Sequence, residues 1–126
     1  MIDSKAVIDM NAEIAEDVSI GPFTVIGSDV QIGSGTVISP HVVIKGPVTI
    51  GKDNRIYQFS SIGEDPQDRK YDNEITRLEI GDRNTIREFC TMHRGTQQDH
   101  SMTGIANDNL FMAYTRVAHD CIIGNH

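Results

Sequence analysis

Isoleucine occupies Ile2, Ile8, Ile14, Ile20, Ile26, Ile32, Ile38, Ile44, Ile50, Ile56 and Ile62, an unbroken spacing of six. Neither an amphipathic helix nor an ordinary half-buried strand repeats at that interval. A strand alternates its faces every two residues, so six reads as a short strand plus a corner, with one large side chain per repeat pointing inward. The residue two before each isoleucine then faces inward as well. It is small or β-branched at Ala6, Ala12, Val18, Thr24, Val30, Thr36, Val42 and Val48, and polar at Asn54 and Ser60. Glycine often follows the isoleucine, at Gly21, Gly27, Gly33, Gly51 and Gly63, where the chain is expected to turn tightly and to need an unusual backbone angle. The expected fold is all-β: a parallel β-helix built from hexapeptide repeats, a solenoid whose core is a thin column of stacked side chains.

The pattern resumes at Ile80, Ile86 and Met92, preceded two residues earlier by Leu78, Asn84 and Cys90. It resumes again at Ile105, Phe111, Val117 and Ile123, preceded by Thr103, Asn109, Thr115 and Cys121. Between these blocks, Glu64 to about Arg77 reads as an extruded loop with roughly twelve extra residues, and about seven more loop out within His93 to Met102. Residues 1–126 thus form one repeat domain with loops near 64–77 and 93–102. Cys90 and Cys121, both on inward positions, read as buried free thiols.

Charge and composition narrow the function. A formal net charge of −7 without a Lys/Arg cluster argues against nucleic acid or an anionic membrane as partner. The N-terminus lacks the apolar run of a signal peptide, and no stretch is long enough to span a bilayer, so a cytoplasmic location without membrane insertion is expected. The chain stops partway through a repeat at His126, which suggests a fragment of a longer protein.

Three hexads per coil stack Val117 on Met92 and Met92 on Ile62. His93 and His119 then share one corner on neighbouring coils, and both loops leave from it. His119 is a candidate general base, with Asp120 able to hold its second ring nitrogen. His93 and the loop residues Gln67, Asp68, Lys70 and Tyr71 are candidate binding groups. The alternative for all of these is ordinary polar corner and loop chemistry. His41, His100 and His126 read as surface residues. No metal is expected, because His119 is followed by another histidine only at His126.

The segments Ile56-Tyr57-Gln58-Phe59, Ser61-Ile62-Gly63-Glu64, Gln67-Asp68-Arg69-Lys70-Tyr71, Ile80-Gly81-Asp82-Arg83-Asn84, His93-Arg94-Gly95-Thr96 and Ala118-His119-Asp120-Cys121 resemble the UDP-N-acetylglucosamine acyltransferase family. The likeness covers essentially the whole chain. It implies a homotrimer of left-handed β-helices with sites in the clefts between subunits. It also implies transfer of a 3-hydroxyacyl chain from acyl carrier protein to the glucosamine 3-hydroxyl of UDP-N-acetylglucosamine, the first step of lipid A synthesis, with no bound cofactor. His119 falls on the family's catalytic base and Asp120 on its orienting acid. His93 falls on a cleft residue, and the loop around Asp68 and Lys70 on the nucleotide-sugar contact.

Three departures qualify the resemblance. Arg116 replaces a histidine usual three positions before the catalytic one. A guanidinium cannot exchange protons at neutral pH, so Arg116 is assigned to binding phosphate or the carrier protein. Ala106 stands where glycine is usual, so the rung at Ile105 is expected to be locally rebuilt. The family's later coils and its C-terminal helical domain are absent, so this chain alone is expected to be inactive or nearly so. Two other readings remain open: an amino-sugar N-acyltransferase on the same fold, and a shortened repeat protein without chemistry.

Overall fold

The computed structural model describes residues 1–65, 76–95, 102–118 and 121–125. The chain winds as a left-handed parallel β-helix of triangular section, each coil contributing one short strand to each of three sheets. Sheet I stacks, in order, Val7–Ile8, Val25–Ile26, Val43–Ile44, Ser61–Glu64, Thr91–His93 and Arg116–Val117. Sheet II stacks Glu13–Ile14, Val30–Ile32, Val48–Ile50, Arg77–Ile80, Met102–Ile105 and Ile122–Ile123. Sheet III stacks Ser19–Ile20, Val37–Ile38, Arg55–Ile56, Thr85–Ile86 and Leu110–Phe111.

The register follows the hexads. Ile8 pairs with Ile26, Ile26 with Ile44, Ile44 with Ile62, Ile62 with Met92, and Met92 with Val117. Most of these partners are three hexads apart in sequence. Ile62 and Met92 are neighbours although the first long connection intervenes, and Met92 and Val117 are neighbours although the second does. The coil therefore keeps its phase across both. The rung at Ile105 is not rebuilt, contrary to the expectation from Ala106. Arg77, Leu78, Glu79 and Ile80 pair in unbroken order with Met102, Thr103, Gly104 and Ile105, and Ile105 continues to Ile123.

Burial explains the fold's stability. The inward isoleucines from Ile20 to Ile86 and the residues two before them, from Val18 to Asn84, are buried, as are Cys90 and Met92 on the next rung. Each buried isoleucine contributes about 1.5–3 kcal/mol of transfer energy. Polar members of the inner columns satisfy themselves between coils. The Asn54 side-chain amide donates to the Gly81 carbonyl at 2.8 Å and its oxygen accepts the Asn84 N–H at 2.8 Å. Asn84 repeats this upward, donating to the Ala106 carbonyl at 2.8 Å. Cys90 is buried, but Cys121 is exposed, which corrects the reading of both as buried. Cys121 keeps the inward register, yet it precedes the outermost described strand of sheet II, over which no described coil packs.

The corners correct a second expectation. Of the glycines after the isoleucines, Gly63 does take a left-handed backbone, whereas Gly21, Gly33 and Gly51 are required by close approach and Gly27 has room for a Cβ. A Cβ on Gly33 would stand 2.8 Å from the Gly51 carbonyl carbon, and one on Gly21 would stand 2.6 Å from the Pro40 nitrogen. At the other corners the left-handed conformation falls three residues after the inward side chain, and mostly on residues other than glycine. Phe23, His41, Phe59, Phe89 and Tyr114 hold φ between 58° and 67° at the corner between sheets III and I. Their rings stack from coil to coil with centroids 5.0 to 5.4 Å apart. That column offsets part of the left-handed backbone cost, since offset aromatic pairs add about 0.5–1.5 kcal/mol each. Lys5 caps it over the Phe23 ring.

Candidate functional site

The site lies at the corner between sheets I and II, where the strand Ser61–Glu64 carries a one-residue irregularity. Ile62 pairs with Met92, and the next partners are Glu64 and His93, so Gly63 is passed over. Such bulges bend a strand and re-aim the residues beyond the bend. Gly63 has φ +84°, and a Cβ there would run into the Lys45 carbonyl oxygen. Only glycine fits both demands.

This bulge brings both long connections to one place. The Arg94 N–H donates to the Glu64 carbonyl at 3.1 Å, and the Gly95 N–H to the Arg77 carbonyl at 3.2 Å. The two ends of the first connection and the start of the second are thereby tied together. His93 and Arg94 are buried at 4 % and 6 % exposure. The His93 Nδ1 lies 3.0 Å from the Asp65 carbonyl oxygen. The Arg94 Nε donates to the Gly63 carbonyl at 3.0 Å, and its terminal nitrogen is paired with the Asp65 carboxylate. Lys45 approaches the same carboxylate at 3.8 Å and Glu64 at 4.0 Å, both at exposed positions, where such pairs contribute little. Thr76, at the end of the first connection, is the one residue among those described whose buried side-chain oxygen lacks a hydrogen-bond partner.

Of the candidate site residues named from sequence, the structure describes two. His93 is at this corner and buried. Arg116 is exposed on Arg116–Val117, paired with Thr91 of the strand that ends in His93. Gln67, Asp68, Lys70, Tyr71, His119 and Asp120 lie outside the described residues. Sequence reasoning missed Arg94 and Asp65 as structural partners of His93. The available signal was an arginine directly after an inward rung and its histidine, on a chain whose other described arginines are more exposed.

The corner offers a buried imidazole, a desolvated guanidinium, and carboxylate and ammonium groups facing water. These groups can hold a polar, partly anionic ligand and accept or donate hydrogen bonds to it. A hollow of about 410 Å³ lies elsewhere, on sheet II between Glu13, Gln31 and Thr49. Glu13 is its one ionisable lining group, so the chemistry favours the corner.

A family model described as "Bacterial transferase hexapeptide (six repeats)" matches residues 11–46 and 29–64. The acyl-[acyl-carrier-protein]–UDP-N-acetylglucosamine O-acyltransferase of Stutzerimonas stutzeri is 60 % identical over 126 residues, 100 % of this chain and 49 % of that protein. The protein of the same description from Saccharophagus degradans is 55 % identical over 99 % of this chain and 48 % of its own length. Among solved structures, UDP-N-acetylglucosamine O-acyltransferase from Moraxella catarrhalis is 53 % identical with a TM-score of 0.96, covering 98 % of this chain and 48 % of that one. The LpxA of Acinetobacter baumannii is 54 % identical with a TM-score of 0.98, covering 99 % and 48 %. The chain therefore spans about half the length of the relatives it matches. Sequence and fold agree: the chain matches the UDP-N-acetylglucosamine O-acyltransferases along its whole length and spans about half of theirs.

Proposed function

We propose that the full-length protein carrying this chain transfers a 3-hydroxyacyl group from acyl carrier protein to the 3-hydroxyl of UDP-N-acetylglucosamine, the opening step of lipid A synthesis. The observation that carries the reading is the 60 % identity along the whole chain to a protein described as that acyltransferase. The convergence of both long connections on the corner of His93 supports it.

The chemistry is attack of a sugar hydroxyl on a thioester carbonyl. The hydroxyl must lose its proton as the new C–O bond forms, and the carbonyl oxygen gains negative charge that donors must stabilise. His119 takes that proton, and Asp120 orients its ring and stabilises the imidazolium. The acyl–sulfur bond then breaks, and the carrier thiol leaves with a proton. Gln67, Asp68, Lys70 and Tyr71 bind the nucleotide sugar: a lysine suits phosphate, and a carboxylate suits sugar hydroxyls. His93 lines the same cleft, and Arg116 binds phosphate or the carrier protein. Nothing in this scheme calls for a metal or cofactor. The protein works as a homotrimer in the cytoplasm, with each cleft shared between neighbouring copies.

The test is acyl transfer by the purified full-length protein and its His119→Ala variant, with trimer assembly followed by light scattering. Loss of a base costs about 10²–10⁴ in rate. Unchanged turnover in an intact trimer would remove His119 from that role.

A further inference from the structure

We infer that Arg94 is a positioning residue: through residues 63–65 it holds the ring of His93 in the tautomer that carries its proton on Nδ1, so that Nε2 is the accepting nitrogen. The tautomer stands on geometry alone; the use made of Nε2 rests on the acyltransferase reading.

A main-chain carbonyl can only accept a hydrogen bond. With the Asp65 carbonyl oxygen 3.0 Å from His93 Nδ1, the neutral ring must carry its hydrogen there. Nε2 then keeps its lone pair. The carbonyl that sets this choice sits two residues beyond the left-handed Gly63, on a stretch that has left the regular ladder. Arg94 bonds each residue of that stretch in turn. Its Nε takes the Gly63 carbonyl, its main-chain N–H the Glu64 carbonyl, and its terminal nitrogen the Asp65 carboxylate. A planar guanidinium presents donors in several fixed directions at once, which a lysine ammonium on a flexible stem does not. The arginine side chain is only 7 % exposed while Asp65 is 45 % exposed, so the ion pair draws the carboxylate towards the coil.

A neutral His93 so held accepts a hydrogen bond at Nε2 from a group that donates. A sugar hydroxyl or an amide N–H fits that description, and an unprotonated phosphate oxygen does not. The inference thus assigns His93 to the sugar end of a nucleotide sugar rather than to its phosphates.

The test labels the full-length protein with ¹⁵N in its histidine rings and reads the tautomer from the ring nitrogen shifts, with the His93 signals identified by their loss in His93→Gln. We expect the neutral ring in the unmodified protein to carry its hydrogen on Nδ1. We expect a mixture of tautomers in Arg94→Lys and in Asp65→Asn, with kcat/KM for acyl transfer down roughly tenfold. Should Arg94→Lys fail to fold, Asp65→Asn at its exposed position carries the same comparison. An Nε2–H ring in the unmodified protein, or variants that keep a pure Nδ1–H ring, would overturn the inference. A shifted tautomer with unchanged kcat/KM would overturn the positioning role. Absence of acyl transfer by the unmodified protein would sink the acyltransferase reading, and the ring spectra would still decide the tautomer.

Discussion

The Asn109 main-chain N–H donates to the side-chain oxygen of Asn84 at 2.9 Å, one coil away, just as the Asn84 N–H donates to Asn54. Asn54 and Asn84 each close the gap to the next coil by serving both a backbone donor and a backbone carbonyl there. Replacing Asn84 by alanine leaves the Asn109 N–H and the Ala106 carbonyl unpaired in the core. We expect a stability loss of about 3 kcal/mol in urea denaturation. A loss under about 1 kcal/mol would mean that water replaces the amide, and the ladder would not be a principal tie between coils.

Close packing at the corners makes a paired prediction. In Gly33→Ala the new methyl meets the Gly51 backbone at 2.8 Å, and a backbone carbonyl cannot swing aside. In Gly27→Ala the first contact is the Ile44 carbonyl oxygen at 3.5 Å, an ordinary distance. Gly33→Ala is expected to lose about 1–3 kcal/mol, whereas Gly27→Ala should be neutral or gain up to about 1 kcal/mol. Thermal melts of the two side by side decide it, and equal melting temperatures would contradict the close-approach argument.

Cys90 should behave as a core residue. Its thiol is buried and lies 3.2 Å from the Met112 carbonyl. Burial pushes its ionisation above the usual thiol range. Iodoacetamide at mildly alkaline pH is therefore expected to leave Cys90 unmodified in the native protein and to label it fully in denaturant, as read by peptide mass spectrometry. Native labelling as fast as that of a free thiol would show that the column opens locally.

Acid sensitivity has an identified source. The Ser34 hydroxyl donates to the Asp17 carboxylate at 2.7 Å and the Gly35 N–H donates to it at 3.1 Å, which together lower the Asp17 pKa. Arg87 lowers that of Glu88 in the same way. A depressed carboxylate contributes stability that is fully present above its unfolded-state value and disappears as pH falls through the folded one. Asp17→Asn should therefore flatten the decline in stability between roughly pH 5 and pH 2. A decline as steep as that of the unmodified protein would place the acid-labile groups elsewhere.

The coil and its register could be read from Ile2 to Ile123 because a β-helix writes its core directly into sequence spacing. Thr36, Asn54 and Asn84 could be placed inward by the same count, polar as they are. The turns were harder. Phe23, His41, Phe59, Arg83 and Tyr114 carry the left-handed backbone in place of glycine, and nothing in their identity signals a positive φ. The aromatic column emerges only once coils are stacked, since its members are 18, 30 or 25 residues apart. His93 could be located at its corner, but its dependence on Arg94 and Asp65 could not. That relationship needs the bulge at Gly63, which a period of six does not encode. Cys121 was misplaced for a different reason: the spacing of six gives its inward register but not what packs over it.

The strands before and after each long connection meet as if nothing had been inserted. Ile62 lies beside Met92 just as Ile44 lies beside Ile62, and Met92 lies beside Val117 in the same way. Chain length at that corner is therefore invisible to the column that holds the protein together. Residues added, removed or exchanged there change what the corner meets without asking the isoleucines to renegotiate their packing. Ligand choice and foldability can drift independently in such a lineage, so that divergence in substrate need leave no trace in the spacing of six.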